Sequence, residues 1–146
     1  MTIETDAFDL PDFLPYLLNQ AAEASGQEFQ TIYKNRYGML RTEWRVLFHL
    51  GIHGRMTAKE IGARAAIHKT RVSRAVQKLA TRRYLTRERN EQDRRYEYLE
   101  LTPAGRAVYR DLRKVAERYD RALTSRFTRQ EAALLRDMLK RLSASP

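Results

Sequence analysis

Apolar side chains recur at three- and four-residue steps over most of this chain, a period that predicts a succession of amphipathic helices. Leu14, Leu17, Leu18, Ala21, Phe29, Ile32 and Tyr33 mark a first long helix ending near Tyr37-Gly38, with Pro11 and Pro15 leaving its start open. Thr42 is placed to cap a second, in which Trp44, Leu47, Phe48 and Ile52 form a stripe that stops at Gly54. Thr57-Ala58-Lys59-Glu60 has capping-box spacing, so each of its outer side chains can satisfy an orphaned backbone N–H. The short helix it opens turns Ile61 and Ala65 inward. From about His68 to Arg82, Val72, Ala75, Val76 and Leu79 share one face. At roughly 100° per residue, Thr70, Arg74, Gln77 and Thr81 point the other way.

The period then changes. Leu85 to Arg89 and Tyr96 to Leu101 read as short strands joined by the polar stretch from Asn90 to Arg95, a hairpin with a basic tip. Thr102-Pro103 combines a cap with a proline at the first helical position. Behind it Val108, Leu112, Val115, Tyr119, Ala122 and Leu123 keep helical spacing to about Phe127. A second capping box, Thr128 to Glu131, opens a last helix with the stripe Leu134, Leu135, Met138, Leu139 and Leu142. That stripe is too long to leave in water. The first and the last two helices can fold back on the central unit or pack against a second subunit, and the sequence favours the second. The expected fold class is mainly α with a small β-hairpin.

Composition narrows the function. A chain of 146 residues suits one domain with a core that needs no staple. With no cysteine there is no disulfide framework, no thiolate nucleophile or metal site, and no thiol for sensing peroxide. Met1 to Asp6 is acidic and lacks the basic and apolar regions of a signal peptide, and no run approaches about 18 apolar residues, so a soluble, cytoplasmic protein is expected. The net charge of +10 attracts polyanions, either nucleic acid or an anionic membrane surface. Residues 1–63 carry −2, residues 64–95 carry +8 and residues 96–146 carry +4, so the excess sits on the short central helices and the hairpin. A solvated basic face is the plain alternative for any such run.

The helix from His68 to Arg82 adds more specific chemistry. Its outward row offers hydroxyl, amide and guanidinium groups, which contact phosphates and base edges in the major groove. Ser73 and Lys78 flank that row, and Lys69 and Arg71 lie near its start. There is no glycine-rich phosphate loop and no nucleophile elbow, and the carboxylates are scattered among basic residues, so an enzyme is not expected. Membrane-surface binding lacks the large exposed aromatic face it would need.

Residues of about 40–106 resemble the winged helix-turn-helix core of the MarR family, and the flanking helices resemble its dimerisation arm. The matching pieces are Leu40 to Leu47, Thr57 to Gly62 and Thr70 to Leu79. To these is added Asp93-Arg94-Arg95 followed by Leu99-Glu100-Leu101-Thr102-Pro103-Ala104-Gly105, similar to an Asp-x-Arg wing whose strand ends Leu-Thr-x-x-Gly. The resemblance implies a single domain over 1–146, with a DNA-binding lobe at 40–106 and dimerisation helices at 10–38 and 107–146. It implies a homodimeric transcriptional regulator, more often a repressor, bound to palindromic double-stranded DNA. The DNA-binding residues it implies are Lys69, Thr70, Arg71, Ser73, Arg74, Gln77, Lys78, Asp93, Arg94 and Arg95. Arg95 would enter the minor groove, with Asp93 fixing its rotamer. Two positions depart from the pattern: Arg83 stands where a glycine usually turns the helix into the wing, and His68 where a small capping residue is usual. Arg82 and Arg83 are alternative phosphate contacts.

The same resemblance implies a small aromatic or phenolic effector, with Tyr16, Gln20, Trp44, Phe48 and His49 as candidate lining residues. The bland alternative is that the aromatic members are core and the polar ones solvated. His49 and His53 lie four apart, a spacing that can chelate a divalent ion, but no third ligand is evident and neither metal nor cofactor is expected. The competing function is a constitutive architectural DNA-binding protein without a ligand.

Overall fold

The computed structural model describes residues 8–144, so the acidic stretch from Met1 to Asp6 lies outside the described residues. A single 3-10 turn (Leu10–Asp12) leads into α1 (Leu14–Tyr37). Pro11 and Pro15 both fall in first turns, where a missing N–H and a fixed φ cost nothing. α1 ends on Gly38, whose left-handed φ of 63° frees its N–H for the carbonyl of Lys34.

Then come α2 (Arg41–His53), β1 (Met56–Thr57), α3 (Ala58–Ala65), α4 (Lys69–Thr81), β2 (Leu85–Arg89), β3 (Glu97–Leu101), α5 (Pro103–Thr124) and α6 (Arg129–Ser143). The mainly helical fold with a hairpin is as expected, with one addition. β1, too short to show a period, pairs antiparallel with β3 through Met56 opposite Leu99 and makes a sheet of order β1-β3-β2.

Three caps differ from expectation. α2 begins after Leu40 rather than at Thr42, because the Glu43 carboxylate reaches back to accept the Leu40 N–H at 3.1 Å. At α3 only half of the box forms. Thr57 Oγ1 accepts the Glu60 N–H at 3.2 Å, while Glu60 accepts the Thr57 hydroxyl because the Thr57 backbone belongs to the sheet. α5 stops at Thr124 rather than near Phe127, and Ser125 caps it. The box at Thr128 and Glu131 closes in both directions, at 3.1 and 2.9 Å. Tyr96 lies just outside β3, where its carbonyl accepts the Asn90 N–H and closes the hairpin loop.

The core is built from the faces the periodicity marked. Val46, Leu47 and Leu50 of α2, Ile61 of α3, Val72, Val76 and Leu79 of α4, and Leu99 of the sheet are all but inaccessible to water, as is Leu112 of α5. Gly105 locks α5 to this unit: a Cβ there would sit 1.9 Å from the Tyr84 carbonyl oxygen, which already accepts the Thr102 N–H. Tyr37 and Arg36 tie the end of α1 to Asp111 of α5. Burial, and after it the Asp111 carboxylate, pushes the Tyr37 phenol up to about 12. Outside this unit the stripes stay open. Only Ala132 of α6 is buried, and Leu14, Leu17 and Leu18 of α1 are exposed.

Candidate nucleic-acid interface

α4 owes its position to Val72, Ala75, Val76 and Leu79, which pin one side of the helix to the core. Lys69, Thr70, Arg71, Ser73, Arg74, Gln77 and Lys78 are all left exposed. His68 proves to be a working cap, since its ring Nδ1 accepts the Thr70 N–H at 3.2 Å and fills the role of the smaller residue. In the turn before it, Ala66 holds a left-handed φ of 53°, and Arg45 donates to the Ala65 carbonyl that ends α3.

Behind α4, Arg83 takes the backbone conformation that the usual glycine would serve. Its φ is 62°, and the Tyr84 N–H reaches the Leu79 carbonyl while the Arg83 N–H reaches that of Ala80, both at 2.9 Å. This is the Schellman ending that glycine serves best, formed here by an arginine at a modest cost in strain. The neighbouring Arg82 guanidinium lies against Gly38, turned toward the joint between α1 and α2.

At the hairpin tip Asp93 and Arg95 form a bidentate pair, Nε to Oδ1 at 2.9 Å and Nη2 to Oδ2 at 2.8 Å, and the Arg95 backbone N–H adds a third bond to Oδ1 at 3.1 Å. The Arg95 side chain is 86% exposed, so the pair adds little to stability, but it holds a guanidinium in one orientation in the loop at the hairpin tip. The hydrogen bonds from Arg95 hold the Asp93 carboxyl below the usual carboxylate range.

Three polar links escaped the sequence reading. Glu43 is buried, 4% exposed, and its second oxygen lies 3.4 Å from Lys78 Nζ, tying α4 to the start of α2. Arg55 stacks over the Tyr98 ring at 4.5 Å and pairs with Glu88, bracing the outer face of the hairpin. Arg87 joins wing and helix: Nε and Nη2 bind the two oxygens of Glu97 at 2.6 and 3.0 Å, and Nη1 donates to Gln77 Oε1 at 2.8 Å. That bonding lowers the Glu97 carboxyl and raises the Arg87 guanidinium from their ordinary values. The register puts Arg87 opposite Leu99 and so diagonal to Glu97, a signal readable only once the strands are paired.

The candidate effector residues do not converge within one chain. Trp44 and Phe48 meet edge to face at 5.2 Å and cluster with Phe29, while Phe48 also meets Tyr109. Of the five, only Phe48 lines the open cleft of about 520 Å³ between α2 and α5, together with Ile52, Tyr109 and Arg113. His49 turns Nδ1 to the Arg45 carbonyl at 2.7 Å, with its ring centroid 6.1 Å from that of His53. Among the described residues no third His, Asp or Glu completes a metal-binding group with them. Tyr16 and Gln20 stand exposed on the first half of α1.

A sequence model of the MarR family matches residues 37–95, the span from the end of α1 through α4 to the Asp93–Arg95 pair. Over that span the chain is similar to the MarR family. It is 28% identical over 127 residues to the HTH-type transcriptional regulator FarR of Neisseria gonorrhoeae, a span covering 86% of each chain. The fold of the chain matches that of BpsR from Bordetella bronchiseptica, solved in a study of regulation of its DNA binding by 6-hydroxynicotinic acid. The TM-score is 0.88 at 20% identity, over 97% of this chain and 100% of the other. A MarR variant from E. coli, solved with operator DNA, matches with a TM-score of 0.82 at 20% identity, over 96% and 100% of the two chains. FarR is thus a transcriptional regulator to which this chain is similar over most of its length.

Proposed function

We propose that this chain is a MarR-type transcription regulator that acts as a cytoplasmic homodimer on palindromic operator DNA, with α4 of each subunit in a major groove and each hairpin over the adjacent minor groove. The observation that carries this reading is the projecting Arg95, oriented by Asp93, on the same lobe as the exposed basic face of α4. Lys69, Thr70, Arg71, Ser73, Arg74, Gln77 and Lys78 supply the helix contacts, and Asp93, Arg94 and Arg95 those of the wing. A narrow minor groove attracts a guanidinium, and one already held in its rotamer loses less entropy on binding.

Dimerisation through residues 10–38 and 107–146 is supported by the open stripes at the start of α1 and along α6, Leu14 and Leu142 being 61% and 60% exposed. A two-fold dimer sets two recognition helices about 34 to 36 Å apart, one helical turn of DNA. A repressor relieved by a small aromatic effector is the finer reading. It is supported by the aromatic and arginine-lined cleft at Phe48, with Trp44 and His49 in the same helix and Tyr16 and Gln20 on an α1 face that a second subunit would cover. Such an effector shifts DNA affinity only by the difference in its own affinity for the two spacings of the lobes.

The test is selection of bound duplexes from a random pool, with affinity measured at two salt concentrations. A palindromic winner bound about a thousandfold more tightly than scrambled duplex is expected. Equal affinity for all duplexes would favour an architectural protein.

A further inference from the structure

Gln77 sits in the outward row of α4, and its amide is already engaged from one side. The guanidinium of Arg87 carries only donors, so the amide atom 2.8 Å from Nη1 is the oxygen, and Nε2 with its two N–H groups is the free end of the exposed side chain. Arg87 is not free to swing away and release it, because its other two nitrogens are held by both oxygens of Glu97 across the hairpin. A glutamine that reads adenine uses both ends of the amide, the oxygen accepting from N6 and the nitrogen donating to N7. A glutamine whose oxygen already accepts from a fixed guanidinium has one lone pair left there, and its amide is set so that the nitrogen, with two donors, is the end free to meet a base.

We propose that Arg87 is a specificity-determining residue that presets the Gln77 amide, so that the recognition helix favours guanine, with N7 and O6 side by side as acceptors, over adenine at the base Gln77 faces. The inference rests on the operator-binding reading above. It gives the wing a second role. Besides reaching the minor groove through Arg95, the hairpin tunes what α4 reads in the major groove through Arg87. Adenine is penalised because its N6 amino group would meet a donor, which leaves both groups unpaired.

The experiment is duplex selection with the full-length protein, with Gln77→Ala, with Arg87→Met and with both changes together. The position where Gln77→Ala flattens the preference is the base that Gln77 reads. There the unmodified protein is expected to favour guanine over adenine by about fivefold, the lower end of what a base contact supplies. Arg87→Met should shift that ratio toward adenine by a similar factor and leave every other position alone, and in the Gln77→Ala background it should change no position. If Arg87→Met does not fold, Arg87→Lys keeps the charge, removes the fork and is expected to give the same shift. An even loss of affinity with an unchanged base profile would reduce Arg87 to a brace and overturn the proposal. So would a preference for adenine in the unmodified protein, or no position flattened by Gln77→Ala. Failure of the unmodified protein to enrich any motif would instead sink the operator-binding reading itself.

Discussion

Leu47 in α2 and Leu139 in α6 hold the same place in their sequence patterns, each in the middle of an apolar stripe, yet Leu47 is fully enclosed by its own chain and Leu139 is exposed. The difference runs through the molecule. The winged unit closes its stripes on one another, with Leu47, Ile61, Leu79 and Leu99 all buried, and Gly105 seals α5 against it. The start of α1 and the whole of α6 keep theirs open. Periodicity says which face of a helix is apolar, and burial says whether the covering surface belongs to the same chain.

The sharpest way to break that contrast is at its two ends. Leu47→Ala is expected to cost about 3 to 4 kcal/mol from lost burial and an unfilled cavity, read as a lower urea midpoint at unchanged slope and the same at all protein concentrations. Leu139→Glu should leave the winged unit folded and weaken self-association by about 2 to 3 kcal/mol, seen by sedimentation as monomer at concentrations where the parent is dimeric. A parent that is already monomeric, or a Leu139→Glu protein that unfolds, would mean that the outer stripe has a different role.

Smaller effects test the reading surface. Arg95→Ala should weaken operator binding by about 2 kcal/mol with mass and melting unchanged, because its ion pair is exposed and its role lies in the complex. Equal operator binding by that variant would remove the wing from the interface. Arg83→Gly relieves the left-handed φ and should raise stability by up to about 1 kcal/mol, visible as a higher melting temperature. A lower one would show that the arginine side chain stabilises the turn through contacts that outweigh the strain.

Most elements were legible because each carries its own local signal. The four-residue face Val72, Ala75, Val76 and Leu79, the box at Thr128 and Glu131, and Thr102-Pro103 are written in neighbouring residues and appear where their spacing puts them. β1 was not legible, since two residues show no alternation and pair only with a strand some forty positions away. The cap of α2 falls away from Thr42, although a threonine is the better capper in isolation, because Glu43 is held in the core beside Lys78 and takes the Leu40 N–H instead.

The sequence by itself determined the mainly helical order, the inward faces, the basic central third and the hairpin with its basic tip, because these depend on residues close together in the chain. Only the tertiary structure decided that Gln77, Arg87 and Glu97 form one connected group and that Glu43 lies buried beside Lys78 of α4. It also decided that, among the described residues, α6 buries only Ala132. These depend on strand register and helix packing, which bring distant residues within hydrogen-bonding reach and leave no mark in the local spacing of the residues involved.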